Sequence, residues 1–107
     1  MTWPQYWGFR LTGQTGCDLS SLGCHTDLWA PHRGDWSDLP GRLGLASRMA
    51  APRRPDEVLG TLLPAVQAET GLGALPVLCG IHDSNASLLP HLTARTAPFA
   101  VVSTGTW

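Results

Sequence analysis

The sequence predicts an α/β fold, and three observations carry that prediction. Two apolar runs, 76–81 (Pro-Val-Leu-Cys-Gly-Ile) and 98–103 (Pro-Phe-Ala-Val-Val-Ser), have the length and composition of buried strands. Residues 62–70 have the signals of a helix, with a proline in the first turn and a glycine just after the end. A short strand at 58–60 precedes that helix, so strands and helices alternate as in α/β proteins.

The chain opens with a predicted helix over residues 3–11. Its large apolar side chains recur near helical spacing, and Pro4 suits a first-turn position. Gly13 follows as a residue able to adopt the left-handed conformation that often ends a helix. Because Trp3 and Trp7 share one face of this helix, we expect both indole rings in the core.

The segment that follows is rich in turns. Residues 18–21 (Asp-Leu-Ser-Ser) predict the start of a second short helix, because Asp or Ser side chains accept hydrogen bonds from the free amides of a first turn. Trp29 and Trp36 flank a polar turn, which favours exposed positions. The Pro-Gly pair at 40–41 predicts a break, and the prolines near residues 52–55 indicate extended or irregular chain.

Composition limits what the protein does. The 107 residues carry a formal net charge of −1, which excludes the basic footprint of a nucleic-acid or anionic-membrane partner. Charged residues make up 14% of the sequence, well below the about 25% of a typical soluble domain. The composition therefore resembles that of one part of a larger protein. Three cysteines without a signal peptide predict reduced thiols and a cytoplasmic location.

Two loops contain residues suited to chemistry. In 80–87 (Gly-Ile-His-Asp-Ser-Asn-Ala-Ser), Asp83 or Ser84 stands where a strand meets a helix that runs toward Pro90. A carboxylate held there suits a general base for a hydroxyl, and the alternative is that Asp83 only caps the helix. In 102–106 (Val-Ser-Thr-Gly-Thr), small residues after a strand let backbone amides approach a phosphate, although such pentamers also end strands that bind nothing.

Five segments in order resemble the FGGY family of carbohydrate kinases. Residues 6–21 are similar to that family's R-L-T-G and T-D-x-S stretch, and 26–36 resemble its D-x-x-T-G-x-W turn. Residues 57–72 are similar to V-L-G-T-L followed by E-T-G-L. Residues 76–83 resemble P-V-x-x-G-x-H-D, and 103–107 (Ser-Thr-Gly-Thr-Trp) resemble S-T-G-T-W. Each match alone is weak, but together they cover nearly the whole chain.

The resemblance implies specific roles. Asp83 matches the family's catalytic base, which takes a proton from the sugar hydroxyl that attacks the γ-phosphate of ATP. His82 matches a residue that contacts the sugar in some members, and Thr104, Gly105 and Thr106 match a phosphate-binding loop. The implied partners are a small sugar and ATP with Mg²⁺. By the same resemblance, the sequence of residues 82–85 favours a ketose or deoxyketose as the substrate.

The resemblance also implies two RNase H-like (actin-like ATPase) α/β domains that close over a cleft. Residues 1–94 would be the end of the N-terminal, sugar-binding domain, and 95–107 the first strand and phosphate loop of the C-terminal domain. The expected fold is therefore a partial RNase H-like domain, an incomplete sheet with flanking helices.

The family pattern is incomplete in this chain. The family's first phosphate loop, Asp-x-Gly-Thr, does not occur in the sequence, and the adenine-binding part would lie beyond Trp107. We therefore expect a fragment without kinase activity of its own that binds ATP and Mg²⁺ poorly. The alternative is a non-catalytic kinase remnant, acting as an interaction module or without function, that self-associates through exposed apolar surface.

The sequence supports a zinc site or a hydrolase less well than it supports a kinase. The set Cys17, Cys24, His25, Cys79 and His82, with two further histidines, offers zinc ligands, but its spacing matches no compact zinc pattern, so no metal site is expected. A serine or cysteine hydrolase lacks its Gly-x-Ser-x-Gly elbow.

Overall fold

A computed structural model describes residues 2–102 and 104. The helices within these residues are α1 Trp3–Thr12, α2 Leu19–His25, α3 Leu39–Arg42, α4 Pro64–Thr70, α5 Asp83–Ala86 and α6 Leu89–Ala94, with a 3₁₀ turn at Ala46–Arg48. The strands are β1 Cys17–Asp18, β2 Trp29–Ala30, β3 Asp35–Trp36, β4 Pro52–Arg53, β5 Val58–Thr61 and β6 Pro76–Leu78. None of these helices is long and apolar enough to cross a membrane.

Helix α1 confirms the predicted start and end of the first helix. Gly13 adopts a left-handed conformation with φ 72°, and its amide donates to the Phe9 carbonyl oxygen at 2.7 Å. The buried face is not the predicted one, however, because Trp3 is 74% and Trp7 57% exposed. A Cβ atom at Gly8 would lie 2.6 Å from Leu59 Cδ2, so this glycine lets α1 pack closely on β5.

Helix α2 confirms the second predicted helix start. The Asp18 carboxylate accepts hydrogen bonds from the amides of Ser20 at 2.9 Å and Ser21 at 3.0 Å, which satisfies two amides of the first turn. Helix α2 also contains Leu22, the most completely buried large side chain of the described core, at 2% exposure. Capping and burial thus place α2 firmly against the centre of the molecule.

The strands form three separate two-stranded sheets rather than one. Strand β1 pairs with β4 in parallel, β2 with β3 antiparallel, and β5 with β6 antiparallel. The buried strand predicted at 76–81 is shorter, ends at Leu78 and leaves Pro76 and Leu78 exposed. Helix α4 nevertheless connects β5 to β6, as the strand–helix alternation predicted, although the pair is antiparallel.

The predicted strand at 98–103 is wrong for the residues that can be compared. Residues 98–102 form no strand in the structure, and Ser103 lies outside the described residues. No other described segment pairs with this run, so its apolar composition is not enough to make it a strand.

The middle segment differs from its prediction in two places. The Pro-Gly pair at 40–41 lies inside the short helix α3, where the proline occupies a first-turn position and removes no needed hydrogen bond. Trp29 and Trp36 are half-buried because they stand opposite each other in the β2–β3 hairpin, with ring centroids 5.7 Å apart. Gly34, with φ 64°, makes the turn between them.

The described core is small. The buried apolar side chains are Cys17, Leu22, Leu62 and Cys79. Many large apolar side chains are exposed instead, among them Leu72, Leu75, Leu78, Leu89, Leu92 and Val102. An apolar surface of this extent is unusual for an isolated domain, and it agrees with the low charged fraction of the sequence.

We predict that the three thiols react with a disulfide reagent at very different rates. Cys24 is exposed, whereas Cys17 and Cys79 are buried, and burial raises the pKa of both buried thiols. Because the thiolate is the reactive form, one equivalent should react quickly at pH 7.5 and the other two only on unfolding. Mass spectrometry after timed quenching identifies the site, and early labelling of Cys79 would contradict the prediction.

Candidate functional site

The loop that follows β6 is fixed by backbone hydrogen bonds to the chain just before β5. The Cys79 amide donates to the Glu57 carbonyl oxygen at 2.8 Å, and the Gly80 amide to that of Pro55 at 3.2 Å. Gly80 has φ 94°, a conformation that a side chain would disfavour. This turn directs the chain into His82 and the short helix α5.

The backbone of His82 is hydrogen-bonded to the first turn of α2. Its amide donates to Ser20 Oγ at 2.8 Å, and that hydroxyl donates to the two carboxylate oxygens of Asp18 at 2.8 and 2.9 Å. Asp18 is fully buried, at 0% exposure. A buried carboxylate thus holds both the first turn of α2 and the loop that precedes α5.

Asp83 presents an exposed carboxylate directly after this anchor. It is the first residue of α5, its side chain is 93% exposed, and its Oδ1 lies 3.3 Å from His82 Nε2. The same oxygen accepts the Ser84 amide hydrogen bond at 2.6 Å. The N-cap position of α5 is His82 and no side-chain cap hydrogen bond forms there, so Asp83 does not cap the helix as the alternative predicted, and its carboxylate is exposed to solvent.

His25, at the end of α2, lies against His82. The two ring centroids are 4.3 Å apart at an interplanar angle of 67°, and the two Nε2 atoms contact each other. Nearby, the Cys24 thiol donates to Asn85 Oδ1 at 3.4 Å, so α2 contacts both the residue before α5 and α5 itself. The site is therefore built from residues that are about sixty positions apart in the sequence.

The tautomer of His82 follows from burial. Its Nδ1 is buried and has no hydrogen-bond partner within the described part of the chain, and the side chain is 12% exposed. A proton on Nδ1 would be a buried donor without an acceptor, which is costlier than an unpaired acceptor. We therefore assign the proton to Nε2, where Asp83 and His25 offer acceptors.

A cavity of about 640 Å³ adjoins the two histidines. Its lining combines the start of α1 with α2 and the loop before α5: Thr2, Trp3, Pro4, Tyr6, Ser21, His25 and His82. The volume is within the usual range of small-molecule sites, which are mostly apolar with a few polar groups. The candidate site is this cavity together with the Asp83 carboxylate.

The predicted phosphate loop lies only partly within the described residues. Thr104 is exposed and lies outside helices and strands, while Gly105 and Thr106 lie outside the described residues. The described contacts of the Asp83 side chain are with His82 and Ser84. The phosphate-binding role of Thr104, Gly105 and Thr106 therefore stays a prediction.

The zinc alternative gains no support from the geometry. No group of three or more His, Cys, Asp or Glu side chains that could hold a metal ion occurs among residues 2–102 and 104. Cys17, Cys24 and Cys79 are all free thiols.

Sequence reasoning missed two partners of the site. It considered His25 only as a zinc ligand, and Ser20 only as part of a helix start. Local spacing carries no signal for the contact of His25 with His82, because 57 positions separate them. The similarity to the T-D-x-S motif did include Asp18 and Ser20. It was the sequence signal for the hydrogen bonds that hold the backbone of His82.

Comparisons with known proteins agree with the resemblance found in the sequence. The chain is 42% identical over 53 residues to a rhamnulokinase from Bacteroides thetaiotaomicron, a match that covers 50% of this chain and 11% of the relative. It superposes on the crystal structure of a carbohydrate kinase from Novosphingobium aromaticivorans with a TM-score of 0.76 and 50% identity. No protein-family model matches the chain.

The structural match covers 81% of this chain and 19% of the Novosphingobium kinase. The chain thus spans between a tenth and a fifth of the length of these relatives. The resemblance read from the sequence is confirmed to this extent: the chain is similar to a segment of known carbohydrate kinases.

Proposed function

We propose that this chain carries the sugar-binding and proton-accepting part of an ATP-dependent carbohydrate kinase. The observation that carries the proposal is the exposed Asp83 carboxylate beside His82, whose side chain lines a cavity of about 640 Å³. Phosphoryl transfer depends on positioning and charge stabilisation more than on covalent help, so one base and an ordered sugar site are suitable protein contributions.

Asp83 acts as the general base in this proposal. A sugar hydroxyl attacks the γ-phosphorus of ATP, its proton passes to the Asp83 carboxylate, and the bond between the γ-phosphorus and the bridging oxygen of ADP breaks. The products are a sugar phosphate and ADP. His82 Nε2 lies 3.3 Å from Asp83 Oδ1, and the Asp83 side chain is 93% exposed and therefore accessible to a substrate hydroxyl.

The substrate we propose is a ketose or deoxyketose. The sequence match to a rhamnulokinase supports this class, since that enzyme is named for a ketose substrate. ATP would be held in part by Thr104, Gly105 and Thr106. The described residues contain no group of three or more His, Cys, Asp or Glu side chains that could hold a metal ion, so none of them is assigned to Mg²⁺.

We further propose the domain division that the family resemblance implies. Residues 1–94 would belong to the sugar-binding RNase H-like domain and 95–107 to the start of the second, actin-like domain. The absence of strand pairing for 98–102 fits a segment whose neighbouring strands lie elsewhere in the kinase fold.

A second candidate is a non-catalytic remnant that acts as an interaction module. The specific observation in its favour is the exposed apolar surface, which includes Trp3 at 74% and Val102 at 83% exposure. Such a remnant would self-associate and would bind neither ATP nor sugars.

A segment exchange tests the kinase proposal. Residues 1–107 replace the matching segment of the Novosphingobium kinase, and phosphorylation of a ketose panel is followed by ADP release. We expect the chimera to phosphorylate at least one ketose and the isolated 107-residue chain to phosphorylate none. An isolated chain with turnover would contradict the expected inactivity. A folded chimera without turnover on any sugar would favour the remnant.

A further inference from the structure

We propose that the cavity beside Asp83 holds the sugar ring between an aromatic wall, formed by Trp3 and Tyr6, and a polar end formed by His25 and His82. This inference rests on the proposed function and assigns its substrate site. It adds three residues, Trp3, Tyr6 and His25, to the sugar-binding role proposed above for His82.

The aromatic wall is the first part of the argument. Trp3 and Tyr6 both line the cavity, and their rings meet edge to face with centroids 5.8 Å apart. Trp3 keeps 74% of its surface exposed, which is unusual for an indole ring in the absence of a partner. The C–H face of a sugar ring is apolar and matches the negative face of an indole, whereas its hydroxyls project sideways.

The polar end is the second part. His25 and His82 are the two imidazole side chains among the residues that line the cavity, and imidazole nitrogens can form hydrogen bonds with a sugar hydroxyl. His82 is held through its amide by Ser20 Oγ, and its ring contacts that of His25. Because Asp83 Oδ1 lies 3.3 Å from His82 Nε2, a hydroxyl bound at this end also lies near the proposed base.

The third part is that the cavity walls are fixed before a ligand arrives. The Tyr6 amide donates to the Thr2 carbonyl oxygen at 3.1 Å, which orders the first turn of α1. Ser21, another lining residue, is 1% exposed and donates to the buried Asp18 carboxylate at 2.6 Å. A preformed cavity of this kind favours a small rigid ligand such as a sugar ring.

The test uses the 107-residue chain and two probes, L-rhamnulose and D-fructose. Chemical-shift titration measures their affinities for the parent chain and for Trp3→Ala, His25→Ala and Phe9→Ala. Phe9 is the matched control, since it is an exposed aromatic residue of the same helix that does not line the cavity. We expect Trp3→Ala and His25→Ala to weaken binding at least about tenfold and Phe9→Ala to leave it unchanged.

Binding of neither sugar to the parent chain would overturn the inference. So would equal affinities for the parent, Trp3→Ala and His25→Ala, with unchanged amide spectra as the check on folding. The same substitutions in the chimera separate this failure from that of the proposed function. There the inference requires a higher KM for the ketose at an unchanged KM for ATP. An active chimera whose ketose KM does not respond to Trp3→Ala or His25→Ala would remove the inference and leave the kinase function standing.

Discussion

Asp83→Asn is expected to lower the kcat of the chimera by about 10²–10⁴-fold, the usual contribution of a positioned general base. Asn has the same shape, and its side-chain oxygen can still accept the Ser84 amide that Asp83 binds at 2.6 Å. The helix start is therefore preserved while the proton acceptor is lost. Steady-state ADP release at saturating ketose and ATP measures the effect.

Asp38→Asn is the matched control for that measurement. Asp38 is also exposed, with 85% of its side chain accessible, and its partner is Arg33 on the neighbouring turn. Its removal should leave kcat within about twofold, because exposed ion pairs contribute little. A kcat for Asp83→Asn close to that of the parent chimera would show that another group accepts the proton.

Asp18→Ala is expected to destabilise the chain by about 2–5 kcal/mol, because it removes a helix cap and leaves buried hydrogen-bond donors without an acceptor. The fully buried Asp18 carboxylate accepts the amides and hydroxyls of both Ser20 and Ser21, with Ser21 Oγ at 2.6 Å. Since small domains are stable by only about 5–15 kcal/mol, this loss removes a large part of the total.

Urea unfolding followed by tryptophan fluorescence measures the change for Asp18→Ala. Asp38→Ala removes an exposed carboxylate and should shift stability by about 0.5 kcal/mol or less. The Asp18 substitution should also speed hydrogen exchange at the His82 amide, which depends on Ser20 Oγ. Equal urea midpoints for Asp18→Ala and the parent would contradict the assigned role of the buried carboxylate.

Elements with local signals could be predicted from the sequence. Helices α1 and α4 begin and end near the positions that proline and glycine predict, and α2 begins where Asp18 predicts, because capping involves residues within one turn of each other. Asp83 and His82 were likewise adjacent in the sequence, and their contact in the structure needs no long-range packing.

Features that depend on distant partners could not be predicted in the same way. Apolar composition indicated strands at 76–81 and 98–103, but a strand exists only where another segment supplies hydrogen bonds, and 98–102 have no such partner in the described chain. The exposure of Trp3 and the contact between His25 and His82 are also tertiary properties, which periodicity within one helix does not contain.

The hydrogen bonds from Asp18 through Ser20 to His82 hold the loop before α5 in the folded chain. Because these bonds form together with the helix they cap, the conformational entropy of the loop is lost during folding and not when substrate arrives. Affinity for a small ligand is therefore not diminished by that cost, and a change that loosens the buried carboxylate should weaken binding mainly through a less favourable entropy. Calorimetry on variants at position 18 that remain folded would register this as a more negative binding entropy at nearly constant enthalpy.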